Sequence, residues 1–315
     1  MKSIFVSIGN GTGDFSRLLN AVAVLEQRED LKVVVQHGRT SFTSKRSKTF
    51  AFTDEAGFRN HLAHCDVFIT HGGVGSICTA VELEKKAVVI PRRAEYDEIV
   101  DDHQLFFARA MADENYIHLI AGSTTEAIVQ EVLDCLDCCT FKLERSIAER
   151  PYIEIVSRAL EPHVRAHHAP KFCLVAAAGG HLTELRKFKA LYAAHDHFYV
   201  LNAPIEQSNE LHGKVHIISL AQRDWRMIVN FVEAWRLLRA QKPTVILTTG
   251  AWPAIPFGVI GRLLGIRVIY IETMAKVVRP TITGRAMKYI AHDFFYPWNS
   301  LAKFFPKGTY CGPFI

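Results

Sequence analysis

No apolar stretch in this 315-residue chain is long enough to cross a bilayer. The longest candidate, Ile255 to Ile271, is broken by Pro256, Arg262 and Arg267. The opening MKSIFVSIGNG has too short an apolar segment for a secretory signal and fits a first strand instead. Seven scattered cysteines, an odd number, provide no disulfide framework and point to a reducing cytoplasm. The thiols of CLDCC, Cys135 to Cys139, lack a second ligand cluster, so they are expected as buried or half-buried helix residues and not as a metal site. The basic residues form no arginine-rich run and no recognisable reader motif, which argues against nucleic acid as a partner. A dinucleotide fingerprint is missing as well. Asp14 stands where SIGNGTGDF needs a further glycine, and the next strand ends QHGR without a ribose-binding acid.

What is present is an apolar content of 49%, enough for one large or two ordinary cores. The net charge of +5 is unevenly shared. Residues 1–170 carry 19 Lys and Arg against 24 Asp and Glu, whereas residues 171–315 carry 18 against 8. Two domains with different partners follow, the basic one suited to lipid headgroups or a pyrophosphate. Strand-like runs alternate with helix-length amphipathic stretches. SIFVSI, KVVVQ, DVFIT, AVVIP and YIHL come first, then KFCLVAA, HFYVL, VHIISL, TVILTT, RVIYIE and DFFYP. This alternation predicts an α/β chain of two Rossmann-like doubly wound domains with a cleft between them. The boundaries expected are 1–140 and 171–315, joined by a charged helical linker over 141–170. Ligands of such sheets bind beyond the carboxyl ends of the strands, so the glycine-rich loops there matter most.

Four loops qualify. In THGGVGSICTAVE, His71, Gly72, Gly73, Gly75 and Ser76 connect a strand to a helix whose first amides lack internal partners and attract an anion. The competing reading is a tight turn with a packing histidine. SIGNGTGDF, with Gly11 at its centre, is either a loop approaching a sugar nucleotide or a plain turn. VAAAGGHLTELRKF places Gly180, His181, Thr183 and Glu184 at a strand end, where His181 is a candidate general base or a capping histidine. TTGAWPAIPFG, with Gly250 and Trp252, shapes a rigid pocket. Beyond it, Glu272 ends a very apolar strand, either paired with Lys276 or Arg279 or facing ligand.

Taken in order, these loops resemble inverting glycosyltransferases of GT-B architecture, above all the MurG-like family. Its two-subunit relatives include the asparagine-linked-glycosylation pair and bacterial exopolysaccharide pairs. THGGVGSICTAVELEKKAVVIPRRAEYDEIVDDHQ is similar to the donor subunit, and AAGGHLTEL, LTTGAWPAIP and YIETMAKVVRPTITGR to the acceptor subunit. Since the donor-like half comes first, the resemblance implies a circularly permuted, reverse-order fusion. It assigns the UDP pyrophosphate to His71, Gly72, Gly73, Gly75 and Ser76, and the donor-sugar hydroxyls to Asp102 and Gln104. His181 becomes the base, and Glu272 an acceptor-side acid. At position 79 the family has glutamate where this chain has Thr79, with Glu82 a turn later as a substitute for the ribose contact. The acceptor side takes Gly180, Thr183, Glu184, Gly250 and Trp252.

The implied reaction moves a sugar from a UDP-sugar to a polyprenyl-diphosphate-linked sugar with a β linkage, without metal or other cofactor. Arg92 and Arg93 favour a glucuronate donor through a guanidinium–carboxylate fork, and the bacterial exopolysaccharide members that this PRR segment resembles imply undecaprenyl-diphosphate-glucose as acceptor. Pairing of both arginines with Glu95, Asp97 or Glu98 is the plainer alternative. Transfer of GlcNAc, Glc or Gal, and a UDP-sugar 2-epimerase, are the competing functions. The acceptor subunit's usual transmembrane helix is missing, so attachment to the inner face of the membrane is expected to be peripheral. QRDWRMIVNFVEAWRLLRAQK aligns Trp225, Ile228, Val232, Trp235 and Leu238 on one helical face, with Arg223, Arg226, Arg236, Arg239 and Lys242 nearby. It serves either as an interfacial helix on anionic lipid or as a core helix with a basic rim.

Overall fold

The computed structural model describes residues 1–11, 13–143, 151–167, 169–203, 214–219 and 226–315. Two compact units divide the chain, Met1–Ala148 with Ile315, and Glu149–Phe314.

The leading unit runs β1 (Lys2–Ser7), α1 (Ser16–Leu25), β2 (Leu31–Gln36), β3 (Lys48–Phe50), α2 (Glu55–His64), β4 (Val67–Thr70), α3 (Val74–Glu82), β5 (Ala87–Val89), α4 (His103–Asp113), β6 (Ile117–Leu119) and α5 (Thr125–Cys138). Its six strands pair in the order β3-β2-β1-β4-β5-β6, all parallel. Alternation along β1 splits the core in two. Ile4 and Val6 meet Leu18, Val22 and Leu25 of α1 and Ile128, Val132 and Leu136 of α5. Phe5 points the other way, 5.5 Å from the Phe68 ring and 5.6 Å from Phe58 of α2. Each such side chain contributes about 1.5–3 kcal/mol when fully buried. Every residue of β4 is buried, as a strand covered on both faces requires. The sequence gives no sign of β3, because Lys48–Phe50 is an outer strand without a fully buried residue.

The trailing unit runs α6 (Pro151–Ala166), β7 (Lys171–Ala176), α7 (Gly180–Arg186), α8 (Lys189–Tyr192), β8 (Asp196–Leu201), β9 (Val215–Ile217), α9 (Arg226–Gln241), β10 (Val245–Thr248), α10 (Ala254–Leu263), β11 (Arg267–Ile271), α11 (Ile282–Ile290), β12 (Asp293–Tyr296) and β13 (Thr309–Tyr310). Its order is β13-β12-β11-β10-β7-β8-β9, again parallel throughout. The helix α6 falls in the stretch expected as a linker. It packs as part of this unit, with the buried Tyr152 ring 5.3 Å from Phe188 and 6.1 Å from Phe314.

Both sheets therefore have the doubly wound arrangement. In each, the strand order reverses beside one strand, at β1/β4 and at β7/β10. Loops leaving neighbouring strands at such a reversal run to opposite faces and open a crevice. All four glycine-rich loops singled out in the sequence leave β1, β4, β7 or β10.

The leading unit is held closed near its crevice by a buried fork. Arg17 of α1 donates through Nε and Nη2 to both Glu98 oxygens at 2.8 and 2.9 Å, and through Nη2 to the Pro91 carbonyl at 2.9 Å. The two side chains are only 11% and 5% exposed. Glu98→Ala leaves that guanidinium buried and unpaired, so a loss of about 3–5 kcal/mol is expected in denaturant melts. Arg17→Met/Glu98→Ala, which removes both charges, should recover much of that loss.

Candidate functional site

At the β1/β4 reversal the His71 ring occupies the space that two glycines vacate. A Cβ at Gly9, whose φ is +74°, or at Gly73 would collide with the imidazole. A Cβ at Gly72 would lie 2.7 Å from the Gln104 carbonyl oxygen. Gly9, Gly72 and Gly73 are thus required by the protein's own packing. Gly11 and Gly75 differ, since a Cβ there would meet nothing within 4 Å. They border open space.

The Thr70 hydroxyl donates to the Ser7 carbonyl at 2.8 Å, so toward His71 Nδ1, 3.2 Å away, it acts as acceptor. The proton therefore sits on Nδ1, and Nε2 is bare. Burial, reinforced by the charge of Arg92, pulls the His71 pKa down to about 4. A neutral ring with this tautomer offers an anion no proton. The donors at this helix start are instead the amides of Val74, Gly75 and Ser76. They precede the first intrahelical bond, Ile77 N–H to the Gly73 carbonyl at 3.1 Å. Half-buried Ser76 adds its hydroxyl.

Next to these groups lies a cavity of about 440 Å³ whose lining includes Gly11, His71, Arg92, Asp97, Glu98 and Gln104. Arg92 is 2% exposed. Its Nη1 donates to the carbonyls of Gly13 and Asp14 at 2.7 and 2.9 Å, and its Nη2 to that of Ile8 at 3.2 Å. It forms no direct ion pair among the described residues, but Asp97 and Glu98 line the same cavity, and the charges of Glu98 and Asp14 act on it. Arg93 follows the plainer expectation and pairs with Glu95 at 3.0 Å and the Ala121 carbonyl at 2.8 Å. Gln104 is buried on the cavity wall, whereas Asp102 accepts from the Ala94 amide at 2.9 Å. Glu82 requires correction. It ends α3 and ion-pairs with Arg59 of α2, which commits its carboxylate to a contact between helices instead of a ribose. Thr79 itself donates back to the Gly75 carbonyl at 2.9 Å.

At the β7/β10 reversal, His181 and Thr249 exchange two bonds. His181 Nδ1 lies 2.9 Å from the Thr249 carbonyl, and the Thr249 hydroxyl donates to the His181 carbonyl at 2.7 Å. A carbonyl only accepts, so the proton is on Nδ1 and Nε2 carries the lone pair. Burial lowers the His181 pKa, which keeps the ring neutral with its Nε2 lone pair free, while 28% of the side chain remains exposed. Gly250, at φ +107°, passes close by; a Cβ there would lie 3.1 Å from the Tyr270 hydroxyl and 3.5 Å from His181 Cε1. Gly180 and Thr183 are exposed on the same loop and helix, and Trp252 is half-buried in the turn before α10.

Two carboxyls lie behind this histidine. Glu184, expected to touch acceptor, is 4% exposed and instead ties α7 to the segment after β11. Its Oε1 accepts from Thr273 Oγ1 at 2.8 Å and from the Met274 amide at 3.0 Å. Its Oε2 is buried without a partner, 3.8 Å from His181 Nδ1. Glu272, 0% exposed, accepts from the Thr281 hydroxyl at 3.0 Å and the Thr273 amide at 3.0 Å, and is closed off from direct contact with acceptor. Burial pushes Glu184 up to about 8, with the nearby Glu272 adding to it, and pushes Glu272 up to about 7. Sequence patterns did not single out Arg17, Thr249, Tyr270 or Thr273, whose roles arise from contacts distant in the chain.

Helices α9, α10 and α11 form one packed layer on the trailing sheet. Along α9, Asn230, Ala234 and Leu238 face inward, while Ile228, Val232 and Trp235 are 68%, 45% and 41% exposed. Leu238 thus leaves the predicted stripe, whereas Ile228, Val232 and Trp235 lie on the outer face. Trp225 and Arg223 lie outside the described residues, as does the side chain of Arg226. Leu263, Ile282 and Tyr289 are also exposed in this layer, and Arg239 lies 5.4 Å from the Trp235 ring centre. Among the described residues no helix is long and apolar enough to cross a membrane.

The raised carboxyls fix the sign of a stability profile. A folded pKa of about 8 for Glu184, above the usual value of 4.5, means the native state holds a proton that the unfolded chain releases. Stability is fully present below about pH 4.5 for this group and falls as pH rises toward 8. Melting temperature should therefore drop between pH 5 and 9, and Glu184→Gln should flatten the slope. An unchanged slope in that variant rejects the assignment.

The model of the glycosyltransferase family 28 C-terminal domain matches residues 3–152. That of the oligosaccharide biosynthesis protein Alg14 like family matches residues 214–314. No curated protein matches the chain. Solved structures with some likeness include S. aureus MnaA with UDP, at 13% identity and a TM-score of 0.24 over 87% of this chain and 80% of that one. Another is UDP-GlcNAc 2-epimerase from Methanocaldococcus jannaschii, at 9% identity and a TM-score of 0.23 over 85% and 83%. A third is a carbohydrate transporter from Acidothermus cellulolyticus 11B in complex with myo-inositol, at 10% identity and a TM-score of 0.27 over 86% and 74%. At such values the likeness carries no argument about function. The chain thus joins a segment like the C-terminal domain of family 28 glycosyltransferases to a segment like Alg14, and together they support a GT-B glycosyltransferase acting on lipid-linked sugars.

Proposed function

We propose that the protein is an inverting, UDP-sugar-dependent hexosyltransferase in which the usual donor and acceptor halves are fused in reverse order. The reading rests chiefly on His181, a neutral imidazole whose bare Nε2 is fixed by the paired bonds with Thr249. The UDP pyrophosphate docks on the amides of Val74, Gly75 and Ser76, with the Ser76 hydroxyl as a further donor. Gln104 and Asp102 serve the sugar hydroxyls. An acceptor hydroxyl passes its proton to His181 Nε2 while its oxygen attacks the anomeric carbon. The bond from that carbon to UDP breaks, and the electron pair leaves with the diphosphate. Charge growing on the leaving group is met by the helix-start amides, so this scheme calls on no metal. Binding of the diphosphate also favours protonation of His71, which would then add a donor.

For the sugar, glucuronate is the favoured donor. Arg92 supports it as a buried cation without a direct ion-pair partner on the cavity wall. The acceptor proposed is undecaprenyl-diphosphate-glucose, extended by a β linkage, β-1,4 in the first instance, during exopolysaccharide assembly. The exposed apolar residues of α9, α10 and α11, interleaved with Arg236, Arg239, Arg262 and Lys288, support docking on anionic lipid at the inner membrane face.

Two experiments test this. The first incubates the protein with a panel of UDP-sugars, with and without a synthetic lipid-diphosphate-glucose, and reads products by mass. Acceptor-dependent transfer is expected, lost about 10²-fold or more in His181→Ala. Conversion of UDP-sugar without acceptor would instead mark an epimerase. Within the panel, Arg92→Lys should weaken UDP-glucuronate use about tenfold, roughly 1.4 kcal/mol, and spare UDP-glucose. Equal loss on both removes the glucuronate assignment. The second floats the protein with anionic vesicles at low salt. Binding should fall on Trp235→Ser/Ile228→Ser, and absence of binding by the unmodified chain rejects the peripheral-membrane reading.

A further inference from the structure

The thiols of CLDCC are not alone. The fold brings His118 of β6 to Cys135 and Cys139 at the end of α5, with one ligand atom from each lying within 4.8 Å of the others. We propose that these three residues bind a soft divalent cation, zinc in the first instance. The sequence hid the site because its nitrogen donor belongs to the preceding strand.

Several features favour this occupant. Zinc–sulfur and zinc–nitrogen bonds of about 2.3 and 2.0–2.1 Å place tetrahedral ligands roughly 3.5–3.8 Å apart, so the cluster closes on an ion by shifts on the order of 1 Å. One imidazole and two thiols select zinc-like ions over magnesium or calcium, which take oxygen. The imidazole is already braced. Its Nε2 donates to the Thr140 carbonyl at 2.8 Å, which leaves the lone pair on the other ring nitrogen, and Phe141 packs edge-on at 5.7 Å. Metal-bound histidines use such a carbonyl to fix tautomer and aim. Cys135 is buried, while Cys139 and His118 are half-buried, so the site is sheltered yet reachable. Cys138 is exposed and outside the cluster.

Binding replaces two S–H bonds with two metal–sulfur bonds and releases two protons, with no change of oxidation state. Water takes the fourth position. The ion pins the end of α5 to the outer strand β6, beside the Lys85–Lys142 bridge that holds the following segment.

The test titrates the reduced, full-length chain with Co²⁺ and then Zn²⁺. A thiolate-to-cobalt charge-transfer band should grow to one equivalent and be bleached by zinc. Cys139→Ser and His118→Gln, both at half-buried positions, should each weaken binding at least about tenfold, while Cys138→Ser leaves it unchanged. Folding of each variant is checked by circular dichroism. The proposal is overturned by absence of the band in the unmodified protein. It is equally overturned by a band of full strength in Cys135→Ser/Cys139→Ser, or by a requirement for Cys138. None of these readouts depends on glycosyl transfer, so the outcome is separable from the proposed activity.

Discussion

Parallel pairing is the constraint on which everything else rests. When all strands of a sheet run one way, every strand-to-helix loop leaves from the same edge, and a reversal of strand order separates two neighbouring loops. The chain applies this twice. In the leading unit the loops after β1 and β4 flank one reversal, and in the trailing unit those after β7 and β10 flank the other. Residues far apart in sequence, such as Gly9 with His71 or His181 with Thr249, become neighbours for that reason alone.

Both reversals hold a neutral histidine with its proton on Nδ1, but the rings do different work. His71 is wedged between glycines and next to a guanidinium, which keeps it uncharged and makes it part of the wall. His181 is tethered from one side only and keeps part of its surface open. Behind it, Glu184 and Glu272 sit in a dry pocket whose hydroxyl and amide donors do not fully offset burial. With Glu184 holding its proton at neutral pH, that carboxyl places no full negative charge beside the imidazole to stabilise its protonated form.

Strand identity and loop position were legible because continuous apolar runs such as VFIT and RVIYI mark parallel strands covered on both faces, and glycines mark their ends. The functions of individual side chains were less so. Glycine spacing looks the same whether a ligand or a histidine ring fills the gap, and only the coordinates distinguish Gly9 and Gly73 from Gly11 and Gly75. Glu82 was placed by its spacing from position 79, and Glu184 by the resemblance of AAGGHLTEL to an acceptor subunit. Helix rotation turned one toward Arg59 and burial turned the other toward Thr273. Arg92 resembled Arg93 in sequence, yet one is clasped by carbonyls and the other pairs with an acid. Such differences depend on tertiary neighbours, which local pattern does not encode.

The outermost strands have a consequence of their own. β3, β6 and β9 contain three residues each and β13 contains two. Each sheet therefore ends in a stub that offers a stranger's backbone very few unmatched ladder groups. Such brief margins keep crowded copies from zipping together edge to edge.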